Sequence, residues 1–193
     1  MMKTSRALTA VFLSLSHVPL LSIFLLLTRF SFVQSDANMI AQTCKQTPFY
    51  NLCVSSLNSD PSSSKADVRG LALIMVNKVK AKATISLHLI NQLSQKSLGL
   101  KNPLSYCADN YDAILSADIP EALEALQKGD PKFAQDGVKD AANEANLCEA
   151  KFHGKSPLTK FNKVVHDTSA IAAPAIALIY IYTIIFFSSI MLV

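Results

Sequence analysis

The chain has 193 residues, half of them apolar, 17% charged and 8% aromatic, with no Trp and only five Gly. That length suits one domain plus a targeting segment, the apolar share excludes a disordered tail protein, and the scarcity of Gly argues against an all-β sandwich or barrel. The formal charge of +4 sits at one end: residues 1–35 hold Lys3, Arg6 and Arg29 and no acid, and the rest carries 15 basic against 14 acidic residues, a balance with no footprint for nucleic acid.

Residues 1–35 read as a secretory signal. Lys3 and Arg6 give the positive start, an apolar stretch runs from Ala7 to Leu27, and Val33 and Ser35 stand at the −3 and −1 positions of a cleavage site. The alternative is an N-terminal membrane anchor. Both deliver the rest of the chain to an oxidising lumen, where the four cysteines Cys44, Cys53, Cys107 and Cys148 form disulfides.

Residues 36–60 predict a small helical hairpin. Thr47-Pro48 reads as an N-cap followed by a first-turn proline, and two short helices folded there bring Cys44 to Cys53. Four long helical patterns follow over 65–179. The first runs from about Lys65 to Gln95, with Asp67 as its cap and Val68, Leu71, Met75, Val79, Leu89 and Leu93 largely on one stripe. The second starts after Pro103 and runs to Lys128 with Cys107, Tyr111, Ile114, Ala122 and Leu126 inward, and Pro120 kinks or splits it. The third starts at Asp130-Pro131. Its Ala134, Val138, Ala141, Ala145, Cys148 and Phe152 recur in a regular heptad pattern. The fourth starts at Ser156-Pro157, with Leu158, Phe161, Val165, Thr168, Ala172 and Ala175 inward and an interruption at Pro174.

Short connections between long amphipathic helices make antiparallel neighbours, so the expected fold is all-α: an up-down four-helix bundle preceded by a helical hairpin. Cys107 near the start of the second helix and Cys148 near the end of the third then become adjacent, which pairs them. Asp167 is the last charged residue, and Ile176–Val193 is nearly all apolar, close to the ~20 residues that span a bilayer. Three readings of this end stay open: membrane association through 176–193, a lipid-anchor signal, or a core helix carrying an atypical apolar tail over 180–193.

The chain offers no catalytic constellation. His88, His153 and His166 stand in no nucleophile motif, and the acids mostly have a Lys nearby, as in Asp136, Lys139 and Asp140. Without a Cys-x-x-Cys or a His cluster no metal is expected, and the scattered glycines make no phosphate loop, so no cofactor is expected. One turn stands out. In Lys128-Gly129-Asp130-Pro131-Lys132-Phe133, Gly129 ends one helix, Asp130 caps the next and Pro131 fits its first turn. That local structure explains the residues fully. It also places Lys132 and Phe133 at a hairpin tip, where a cation beside an aromatic ring can enter a concave acidic pocket.

Thr43-Cys44-Lys45-Gln46-Thr47-Pro48-Phe49-Tyr50 with Leu52-Cys53, the run Asp67–Val76, Pro120–Leu126 and the spaced Cys107 and Cys148 resemble the plant invertase and pectin methylesterase inhibitor family over about residues 38–179. Pro131-Lys132-Phe133 is similar to the Pro-Lys-Phe motif of its invertase-inhibitor branch. The resemblance implies a proteinaceous inhibitor rather than an enzyme. It implies a one-to-one complex with acid invertase, a family 32 β-fructosidase, whose sucrose pocket would receive Pro131, Lys132 and Phe133. A pectin methylesterase inhibitor on the same scaffold is the alternative, and a membrane-anchored helical protein without an enzyme target is another. The resemblance places the protein in the cell wall or the vacuole.

Overall fold

The structure, a computed structural model, describes residues 36–191, with side chains from Met39 to Ile184; the expected leader lies outside the described residues. Helices α1 (Asp36–Lys45) and α2 (Tyr50–Asn58) form the N-terminal hairpin. The Cys44–Cys53 disulfide closes it, with the Cα atoms 5.5 Å apart. Thr47 is not a cap of α2. Its hydroxyl donates back to the Cys44 carbonyl at 2.8 Å, and α2 begins after Phe49 without a side-chain cap. The hydroxyl thus joins the Thr47 amide, which donates to the same Cys44 carbonyl at 3.0 Å, in closing the end of α1 rather than capping a free amide at the start of α2.

A 3-10 turn, Pro61–Lys65, leads into α3 (Val68–Lys96), whose Asp67 cap accepts from the Gly70 amide at 2.7 Å. Val68, Leu71, Met75 and Val79 are buried as expected, but Leu89 and Leu93 are only half-buried. The inward stripe continues through Ala83, Ser86 and Ile90, which keeps the 3.6-residue period over the helix.

The second long element has three parts. Helix α4 (Lys101–Ala113) passes through a π-helical turn, Ile114–Asp118, into α5 (Ile119–Lys128). The backbone stays in the right-handed helical region at Ala113, Ile114, Asp118 and Ile119, so Pro120 lies within a continuous helix, and the π turn takes up the hydrogen bond that the proline cannot make. The π turn lies just before it and meets α6 (Pro131–Ala150) at Gly137. A Cβ there would stand 2.5 Å from the Asp118 carbonyl oxygen, so only glycine allows this approach. At its far end α6 is joined to α4 by the Cys107–Cys148 disulfide, with the Cα atoms 4.7 Å apart.

Helix α7 (Thr159–Met191) closes the bundle and packs mainly on α6 and α3. It runs unbroken through Pro174, against the expected interruption. Ile171, Ala172, Ala173, Ala175 and Ile176 around it are buried, and the Gln135 side chain of α6 donates to the Ala173 carbonyl at 3.0 Å. Tertiary packing on both sides of the proline outweighs the one helical hydrogen bond it removes. Phe161, expected inward, is half-buried, and Asn162 turns inward instead. Asn162 accepts from the Tyr111 hydroxyl at 2.8 Å and donates to Glu149 at 2.7 Å, tying α4, α6 and α7 together. Burial pushes the Tyr111 hydroxyl up to about 12.

Candidate functional site

The turn between α5 and α6 is built by local rules. Gly129 adopts φ 80°, which a residue with a Cβ adopts only under strain. The Gly129 amide donates to the Leu126 carbonyl at 3.3 Å and the Asp130 amide to the Ala125 carbonyl at 2.8 Å. These two bonds form a Schellman ending for α5. Asp130 then caps α6 by accepting from the Phe133 amide at 3.3 Å, and Pro131 takes the first helical position.

One clamp comes from far along the chain. The Arg69 guanidinium, at the start of α3, donates to the Leu126 carbonyl and to the Gln127 carbonyl, the latter at 2.7 Å. The last carbonyls of α5 are thereby satisfied by a cation, which the negative end of a helix favours. Sequence reasoning missed Arg69, since no local pattern links it to a turn nearly sixty residues later.

The structure brings Pro131, Lys132 and Phe133 onto one exposed first turn. Pro131 is half-buried, Phe133 is 56% exposed and the Lys132 side chain is 75% exposed. Lys132 pairs with Asp136 at 3.0 Å, one turn along α6. Both residues depart from what stability alone selects. A cation in the first turn opposes the helix dipole at a cost of ~0.3–1 kcal/mol. An exposed Phe forgoes the ~1.5–3 kcal/mol its burial contributes. The Lys132–Asp136 pair, being exposed, holds Lys132 with only ~0–1 kcal/mol, so exchange for another carboxylate costs little.

Phe133 borders a shallow cleft with Glu121, Glu124, Ala125, Lys128 and Asp130, in which Lys128 pairs with Glu124. On its other side the tip meets α7. Pro131 and Lys132 share one cleft with Asp136 and Tyr180, and Gly129 and Pro131 share a second with Tyr180, Thr183 and Ile184.

Behind the tip lies an acidic cluster. Asp118, on the π turn, has one carboxylate oxygen buried without a hydrogen-bond partner. Burial first, then Asp140, Glu144 and Glu121, push it up to about 6. Burial and Asp140 also raise Glu144. Among the described residues no group of three or more His, Cys, Asp or Glu is placed to hold a metal ion. The four cysteines are paired as 44–53 and 107–148 and leave no thiol. Cys148 is ~25 Å along α6 from Pro131, so that disulfide braces the hairpin from its far end.

The sequence pattern of the plant invertase/pectin methylesterase inhibitor family matches residues 38–174, most of the chain. The chain belongs to this family. It is 51% identical over 135 residues to the cell wall/vacuolar inhibitor of fructosidase 1 of Arabidopsis thaliana, covering 70% of this chain and 66% of that relative, just under two thirds of its length. It is 34% identical over 141 residues to the cell wall/vacuolar inhibitor of fructosidase 2 of the same plant, covering 67% and 78%. A pectinesterase inhibitor of Actinidia deliciosa is 30% identical over 125 residues, covering 63% and 66%. Among solved structures, a mutant form of a pectin methylesterase inhibitor from Arabidopsis superposes with a TM-score of 0.63 at 21% identity, covering 75% of this chain and 97% of that one. That likeness establishes the shared helical-bundle fold. These relatives are named inhibitors, not enzymes. The family pattern ends at Pro174, so the end of α7 lies beyond it.

Proposed function

We propose that this chain inhibits a plant acid invertase, a family 32 β-fructofuranosidase, by forming a one-to-one complex in which Pro131, Lys132 and Phe133 enter the sucrose-binding site. The observation that carries the reading is the first turn of α6: a lysine and a phenylalanine kept exposed, at a cost to stability, on a turn braced by Gly129, Asp130 and Arg69. Retaining glycosidases hold two carboxyl groups about 5 Å apart, an acidic target for the Lys132 ammonium. Phe133 packs on a sugar-binding wall, and the braced turn reduces the entropy lost on binding. Identity of 51% to a fructosidase inhibitor, against 30% to a pectinesterase inhibitor, favours invertase over the esterase. The names of the first two relatives support residence in the cell wall or the vacuole, reached by secretion with residues 1–35 removed as a leader.

The test is a titration of oxidised protein against an acid invertase and, separately, a plant pectin methylesterase. Stoichiometric loss of sucrose hydrolysis, relieved by excess sucrose, is the expected result. Inhibition of the esterase alone would reassign the tip to a purely structural helix start.

A further inference from the structure

Beyond Ile179, α7 runs along the edge of the bundle, where the Tyr182 hydroxyl donates to Gln42 of α1 at 3.3 Å and Tyr180, Thr183 and Ile184 border the Gly129–Pro131 turn. Tyr180, Ile181, Tyr182 and Ile184 are 58%, 50%, 41% and 55% exposed. At about 100° per residue these four and Thr183 cover the whole circumference of the helix. Thr183 presents little polarity, since its hydroxyl donates to the Ile179 carbonyl at 2.7 Å. The sequence stays apolar to Val193 apart from Ser188 and Ser189, and the helix continues to Met191. Asp167 is the last charge.

This pattern distinguishes the occupants of such a surface. A protein groove covers one side of a helix and leaves the other side wet, so it selects an amphipathic helix. Lipid surrounds a helix and selects one that is apolar all round with its backbone bonded internally. The arm has the second character. Its two tyrosines stand at its bundle end, the place of an interfacial aromatic belt.

Length sets the depth. One helix among the described residues, Thr159–Ile184 within α7, is long and apolar enough to cross a membrane, but 56% of its apolar stretch is buried inside the protein. Ile176 is fully buried and Leu178 is 8% exposed. A span starting at 176 would strip both from the core. Over Tyr180–Met191 the helix extends ~18 Å, about the depth of one leaflet of a bilayer whose hydrocarbon is ~30 Å thick.

We propose that the arm Tyr180–Met191 inserts into one leaflet of a lipid bilayer while the bundle stays folded, docking the protein on a membrane with the Pro131 turn at the headgroups. Gly129 and Pro131 line the cleft beside Tyr180, Thr183 and Ile184, so this turn lies where the arm would enter lipid. The docking holds whether or not the tip inhibits invertase.

The unit Asp36–Val193 holds the described core and both disulfides, so it serves as the test protein. It is mixed with neutral phosphatidylcholine vesicles and floated on a density gradient. It is expected to rise with the vesicles, and Ile181→Asp with Ile184→Asp to cut the partition coefficient at least tenfold. Ile85→Asp, at an exposed apolar position on the bundle wall, is expected to float as the parent does. The proposal is overturned if the parent stays at the bottom, if the double variant floats equally, or if Ile85→Asp abolishes flotation as fully. A concentration-dependent dimer that stays out of the vesicle fraction would assign the arm to a second copy and overturn it too.

Discussion

The tip at Pro131–Phe133 and the arm beyond Ile179 are neighbours, and both expose aromatic rings. They differ in what holds them. The tip is bound from three directions: a Schellman ending on α5, an Asp130 cap on α6 and the Arg69 clamp from α3. Among the described residues, the arm is tied back by the Tyr182 hydroxyl, which donates to Gln42 at 3.3 Å, and borders the Gly129–Pro131 turn through Tyr180, Thr183 and Ile184. A charged and an aromatic group on a braced turn suit a directional, concave partner. Apolar side chains on every face carry no direction and suit a fluid one. Exposure alone says little about function; the rigidity and polarity behind it separate the two regions.

The largest effect is expected in the frame that carries the tip. Replacing Cys107 and Cys148 by Ser opens a loop of sequence separation 41, against 9 for Cys44–Cys53. The chain-entropy account gives losses of ~4 and ~3 kcal/mol respectively. Urea unfolding of the two variants measures both, and an undiminished stability without Cys107–Cys148 would mean that packing alone holds α4 to α6. Next comes Arg69→Ala, which strips a cationic donor from two carbonyls. It should cost ~1–3 kcal/mol and weaken inhibition, while leaving vesicle docking by the arm unchanged. A variant with normal inhibition would show that the turn needs no clamp.

The smallest effect is a slope with pH. Asp118 is pushed up to about 6 from 3.8, chiefly by burial and then by Asp140, Glu144 and Glu121. Its protonated form favours the fold, so this contribution is present at acid pH and is lost as pH rises from about 4 through 6. Asp118→Asn should flatten the fall of Tm over that window and raise stability near neutrality. An unchanged slope would place the charge sensitivity elsewhere.

Much of this frame was legible in the sequence because it is local. The caps at Asp67 and Asp130 and the left-handed Gly129 act within five residues, and both cysteine pairings follow from helix ends brought together by short turns. The exposed Lys132 and Phe133 were legible for the same reason. What escaped depends on distant packing. Arg69 reaches across the fold to Leu126, and no spacing announces it. Pro174 promises a break that the buried residues around it override. Phe161 looks like core, yet Asn162 turns inward because Tyr111 and Glu149 need a partner between them. Thr47-Pro48 resembles a helix start, and only the Cys44 carbonyl shows that the hydroxyl faces backward.

The central claim is that Lys132 engages the target, and one substitution addresses it. Lys132 is 75% exposed and, among the described residues, pairs with Asp136, so Lys132→Ala is expected to leave the fold intact. The affinity of this variant for acid invertase, measured beside the parent with the thermal transition of each, is the decisive quantity. Transfer of the ammonium to a buried carboxylate predicts a loss of ~2–5 kcal/mol, roughly thirty-fold to a few thousand-fold, at an unchanged Tm. A loss below about three-fold, under ~0.7 kcal/mol, would contradict the account and leave Lys132 as a surface residue of the helix it begins.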